Sequence, residues 1–162
     1  MLSKTLAIVV LAGALPHPVV LDRSVTLFTR PEEGEPIQKA AEDLAADFQV
    51  VLGRPKIIHR AEDSGPITIF IGESSSVPSE IRPSCLTAPE SFSISLREWK
   101  SNPRLPTEVI VLSGADMWGT IYAVYQFLDD PETHIVPPVL WDGWEAYYHI
   151  MRYEGDRSVD VN

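Results

Sequence analysis

The sequence predicts an α+β fold, an α/β sandwich in which a mixed β-sheet carries two main helices on one face. Three observations lead there. Residues 37–52 hold a single apolar stripe at helical spacing, and residues 109–112 form a β-branched apolar run that feeds a second helical pattern. The remaining ordered-looking segments are short strand-like runs separated by turn residues, so strands and helices share one layered core.

Residues 25–29 alternate enough to be a first strand, and residues 30–35 form a polar loop with Pro31 and Gly34. Pro36 suits the first helical position, where its missing N–H is not needed. Ile37, Ala40, Ala41, Leu44, Phe48 and Val51 then recur on one side, with Lys39, Glu42, Asp43 and Asp47 mostly outside the stripe. Gly53 is a natural stop. Residues 56–59 and 67–71 are short strands flanking a turn-rich stretch. Residues 73–90 contain three consecutive serines, Pro78, Pro83, Cys85 and Pro89, and read as a long surface loop. Phe92, Ile94 and Leu96 alternate with Ser93 and Ser95, the pattern of a strand with one solvated face, and residues 99–106 read as a connector.

The most informative run is residues 113–125, Ser-Gly-Ala-Asp-Met-Trp-Gly-Thr-Ile-Tyr-Ala-Val-Tyr. Val109, Ile110, Val111 and Leu112 fit a strand buried on both faces. Asp116 then stands at an N-cap position, where its carboxylate accepts free backbone N–H groups and complements the helix dipole. Ile121, Val124, Tyr125 and Leu128 recur at helical spacing and are expected to form the buried side. Gly119 in the first turn costs the helix roughly 1 kcal/mol relative to Ala, which calls for a close neighbour, either a packed strand or the rim of another domain.

Gly114, Asp116, Gly119, Thr120, Ile121 and Tyr122 match the Gly-Ser-Asp-x-x-Gly-Thr-Ile-Tyr segment that closes the N-terminal domain of glycoside hydrolase family 115, the xylan α-1,2-glucuronidases. The chain resembles that domain over residues 19–130, with residues 37–52 like its first helix, 67–72 like its strand ending in Ile-Gly and 91–96 like its strand before the motif. Ala115 stands where the family usually has Ser, and Met117-Trp118 replace a pair that is usually basic. Related N-terminal domains precede the barrels of other α-glucuronidases and of β-hexosaminidases, so the resemblance implies a β-hexosaminidase N-terminal-domain-like sandwich. It also implies a role in xylan degradation, on 4-O-methyl-glucuronic acid side chains, with no cofactor.

The family's catalytic groups lie on a barrel. A (β/α)8 barrel needs roughly 200–250 residues, more than this chain of 162. The reading is therefore a non-catalytic accessory domain whose partner is a catalytic barrel absent from this chain. The alternative is an independent carbohydrate- or protein-binding module. For that alternative the residues that matter are Trp141, Trp144 and Tyr147, which fall at i, i+3 and i+6 on one side of a helical turn. Aromatic rings stack on sugar faces, and they equally fill cores and interfaces. Residues 131–162 around them, interrupted by Pro131, Pro137 and Pro138, read as an aromatic-rich tail or truncated joint. The candidate substrate-binding residues are Asp116, Trp118, Trp141 and Trp144; for Asp116, capping and direct ligand contact are both open. No catalytic residue is assigned.

Composition narrows the rest. A hydrophobic content of 44% with 22% charged residues suits a globular domain. A net charge of −10, from 23 acidic and 13 basic residues, leaves no Lys/Arg surface for nucleic acid. Cys85 is the sole cysteine, so no internal disulfide forms. Residues 72–76, Gly-Glu-Ser-Ser-Ser, lack the second glycine of a nucleophile elbow. His17, His59, His134 and His149 lack metal-ligand spacing, so no metal is expected.

Lys4, the apolar residues 5–15 and Ala12-Gly13-Ala14 outline a secretory signal over residues 1–14, too short to span a bilayer, and imply a secreted, extracellular protein. A buried first strand is the competing assignment for residues 8–10. Intact-mass measurement on secreted material is expected to show cleavage after Ala14, with loss of Lys4; a retained Met1 would refute it.

Overall fold

A computed structural model describes residues 21–83, 86–102, 105–129, 139–141, 144–146 and 157–159. The chain runs β1 (Thr26–Phe28), α1 (Glu35–Val51), β2 (Lys56–Ile58), β3 (Ile67–Glu73), β4 (Phe92–Asn102), β5 (Leu105–Gly114) and α2 (Met117–Asp129). Three short strands follow: β6 (Val139–Trp141), β7 (Trp144–Ala146) and β8 (Arg157–Val159). The main sheet has the order β2-β1-β3-β5-β4-β8. β2, β1, β3 and β5 are parallel, while β4 is antiparallel to both β5 and β8. This is a mixed sheet in an α+β fold.

Strand alternation sends side chains to two different cores. Leu27, Ile69, Ile71, Ile110, Leu112, Ile94 and Leu96 meet both helices on one face. Phe28, Ile58, Phe70, Val109 and Val111 form a second cluster on the other. α1 contributes Ile37, Ala40, Ala41, Leu44, Ala45 and Phe48 to the first core, as its stripe predicts. It begins at Glu35, one residue ahead of Pro36, with Gly34 as a cap that supplies no side-chain hydrogen bond. Its end comes at Gly53, whose φ of 93° is readily adopted without a Cβ.

Four expectations are corrected. Ser93 and Ser95 are buried rather than solvated, because the second face is also covered. The cover comes from residues 74–83: the stretch read as a surface loop sends Val77 and Ile81 fully into the second core. Residues 99–106 are not a connector. β4 continues through Trp99 to Asn102 and pairs across to Leu105, and Trp99, 5% exposed, stacks on Phe28 with ring centroids 5.6 Å apart and meets Phe70 edge to face. Finally, Trp141 and Trp144 do not share a helical turn. They are register partners in the β6–β7 hairpin; their side chains, the segment 1–20, Cys85, His134, Tyr147 and His149 lie outside the described residues.

Removing the Trp99 ring empties the centre of the second core. Trp99→Ala is expected to cost about 3–5 kcal/mol in denaturant unfolding, whereas a connector residue would change stability by less than about 0.5 kcal/mol.

Candidate functional site

Every motif residue from Gly114 to Thr120 has a mechanical task at the joint where β5 enters α2. Asp116 caps the helix: its Oδ1 accepts the Gly119 backbone N–H at 2.9 Å. Its Oδ2 accepts the Glu90 N–H at 2.9 Å, in the turn before β4. One carboxylate thus joins the helix start to the neighbouring strand's entry. Glu90 sits at φ 61°, an uncommon conformation for a residue with a Cβ, held in place by this bond and by its neighbour. The Ser91 carbonyl accepts the Ala115 N–H at 2.8 Å and lies directly under Gly119.

A Cβ at Gly119 would overlap the Ser91 carbonyl, and one at Gly114 would overlap the backbone of Gly119 and Thr120. Close backbone approach, not flexibility, therefore requires both glycines. The Thr120 hydroxyl closes the joint by accepting the Gly114 N–H at 3.2 Å and donating to the Asp116 carbonyl at 2.9 Å.

The buried face of α2 differs from the expected one. Thr120, Ala123, Val124 and Phe127 pack inward, while Tyr125 is 45% exposed; Ile121 is partly buried and the Leu128 side chain lies outside the described residues. The close approach at Gly119 and Thr120 sets the rotation of the helix, and that turns Tyr125 outward. Trp118 at 52% and Tyr122 at 41% exposure stand on the same outer side, their ring centroids 6.4 Å apart. The Tyr125 hydroxyl donates to Asp43 Oδ2 of α1 at 3.2 Å, and Lys39 pairs with the same carboxylate. Of the candidate residues, Asp116 and Trp118 share one turn. Asp116 is engaged on both oxygens, and Trp118 is the one presented to solvent.

A second feature was missed from sequence because it is assembled from two loops. At the carboxyl ends of β1 and β3, Arg30, Glu32, Glu33, Gly34, Glu73, Ser75 and Ser76 line an open crevice of about 180 Å3. Glu33, only 9% exposed, bonds through Oε1 to the Ser76 hydroxyl and to the Glu73 N–H. Burial pushes its pKa up, partly offset by those two hydrogen bonds. The only sequence signal was Glu33 beside Gly34 after a strand. Among the described residues no group of three His, Cys, Asp or Glu side chains could hold a metal ion, and no helix is long and apolar enough to cross a membrane.

No family model and no curated protein matches the chain. Among solved structures it is similar to a family GH115 4-O-methyl-α-glucuronidase with specificity for decorated arabinogalactans, with a TM-score of 0.45 and 16% identity. That likeness covers 65% of this chain and 13% of the other, so the chain spans a small part of that protein's length.

The backbone N–H donors hold Asp116 below the usual carboxylate range, Gly119 contributing most and Glu90 next. A depressed folded pKa means the stabilisation is present above the unfolded value of about 3.9 and is lost as pH falls through the folded one. Asp116→Ala is expected to cost about 0.5–2 kcal/mol at neutral pH. The gap between variant and parent should narrow as unfolding is measured below about pH 4. An unchanged melting temperature at neutral pH would refute the capping role.

Proposed function

We propose that this chain is a secreted, non-catalytic N-terminal accessory domain of an α-glucuronidase-like glycoside hydrolase, built on a sandwich of the β-hexosaminidase N-terminal type. One observation carries the reading. Of the six residues that match the family segment, four, Gly114, Asp116, Gly119 and Thr120, build the β5–α2 joint, so that part of the match meets a steric requirement.

The outer side of α2 supports an accessory role. Trp118, Tyr122 and Tyr125 are exposed along one helix, and Trp and Tyr in such patches are enriched where domains meet. Their partner in this reading is the catalytic barrel, and the substrate class is uronic-acid-decorated plant polysaccharide, with xylan implied by the motif. Decorated arabinogalactan, on which the similar enzyme acts, belongs in the same test.

Purified chain incubated with glucuronoxylan or decorated arabinogalactan is expected to release no 4-O-methyl-glucuronic acid; release by the chain alone would overturn the reading. A barrel encoded beside it is expected to co-purify with the chain, and Trp118→Ala with Tyr122→Ala to weaken that association at least about ten-fold without lowering the melting temperature. Saturable polysaccharide binding by the chain alone, lost in Trp141→Ala and Trp144→Ala, would favour the independent binding module instead.

A further inference from the structure

The parallel strands β1 and β3 are neighbours, yet the chain leaves them in opposite directions. β1 exits into α1, which packs on the helix-bearing face, while β3 exits into residues 74–83, whose Val77 and Ile81 pack on the other. Where adjacent parallel strands diverge in this way, a crevice opens beyond their carboxyl ends, and in open α/β sheets ligands bind there. The crevice lined by Arg30, Glu33, Ser75 and Ser76 is that opening.

Its polar groups are only half used. Glu33 Oε1 is taken by Ser76 and Glu73, but Oε2 accepts no hydrogen bond among the described residues. Among the described residues the Arg30 Nε is buried with no hydrogen-bond partner, and its guanidinium forms no ion pair. Gly72 leaves room for the carboxylate, since a Cβ there would overlap Glu33 Oε1 and come within 2.8 Å of Ser76 Oγ. A buried donor without an acceptor is costly, and Arg30 and Glu33 together line the open crevice.

We propose that this crevice binds a single neutral sugar ring, or a comparable small vicinal polyol, through Arg30, Glu33 and the Ser75-Ser76 turn. The chemistry selects this class. Carboxylates require donors and Arg30 requires an acceptor, and adjacent hydroxyls supply both. A free phosphate or sulfate is opposed by Glu32, Glu33 and Glu73, and a divalent cation finds no group of three ligating side chains among the described residues. A volume of about 180 Å3 is below the roughly 300–1,000 Å3 of sites for drug-sized ligands, which limits the occupant to about one ring. The site does not depend on the accessory-domain reading, because none of its residues belongs to the family segment.

The test is an amide-resolved NMR titration of the full chain with methyl β-D-xyloside and methyl α-D-glucoside, run beside sodium sulfate and calcium chloride. A glycoside is expected to give saturable shifts confined to residues 30–35 and 73–76. Arg30→Ala, which removes no side-chain hydrogen bond or ion pair among the described residues but does remove the positive charge acting on Glu33, should weaken the apparent affinity about ten-fold or more, with amide shifts outside residues 30–35 and 73–76 unchanged. No saturable shift with either glycoside, saturation by sulfate or calcium alone, or an Arg30→Ala variant that binds as well as the parent would each overturn the proposal.

Discussion

The Asp116 carboxylate organises this molecule. With one oxygen on the first turn of α2 and the other on the Glu90 N–H ahead of β4, it pins the helix to the strand pair β4–β5 where β4 begins and β5 leads into α2. Gly114 and Gly119 let the backbones come together, and Thr120 bridges Gly114 to Asp116. Because helix position and rotation are set at this joint, the inward face of Thr120, Ala123, Val124 and Phe127 and the outward aromatic side follow from it. The segment behaves as a mechanical element: a methyl at either glycine has no space.

The second organising feature is that the sheet is covered twice. Both helices take one face, as the pattern of β-strands and amphipathic helices requires. The other is closed by the residues after β3 together with Trp99, Phe28 and Phe70. Closing that face with a loop, not a helix, is what pulls the chain exits of β1 and β3 apart and leaves the Glu33 crevice between them. Two potential contact regions therefore arise from one sheet: an aromatic helix side suited to another domain, and a polar crevice at the strand ends.

Much of this was legible locally. The α1 stripe, the run 109–112 and the Asp116 cap depend on spacing and on hydrogen bonds three residues apart, so α1 and the start of α2 emerge from the sequence with their boundaries nearly right, and β5 is found but starts four residues earlier, at Leu105. The failures share one cause. Ser93 and Ser95 look solvated beside Phe92 and Ile94, and residues 74–83 look like surface; a second core on that face, with Val77, Ile81 and Trp99 in it, makes both inferences wrong. Tyr125 looks like core by spacing, but Ser91, distant along the chain, fixes the rotation that exposes it.

By itself the sequence determined the α+β class, the amphipathic first helix and the capped strand–helix joint, because each is written in patterns no longer than about five helical turns of continuous chain. Tertiary structure alone decided that Trp99 belongs to a core, which face of α2 is hidden, and that Arg30, Glu33 and Ser76 converge. Those outcomes depend on segments about thirty to seventy residues apart in sequence, and no local periodicity records which distant backbone a side chain will meet.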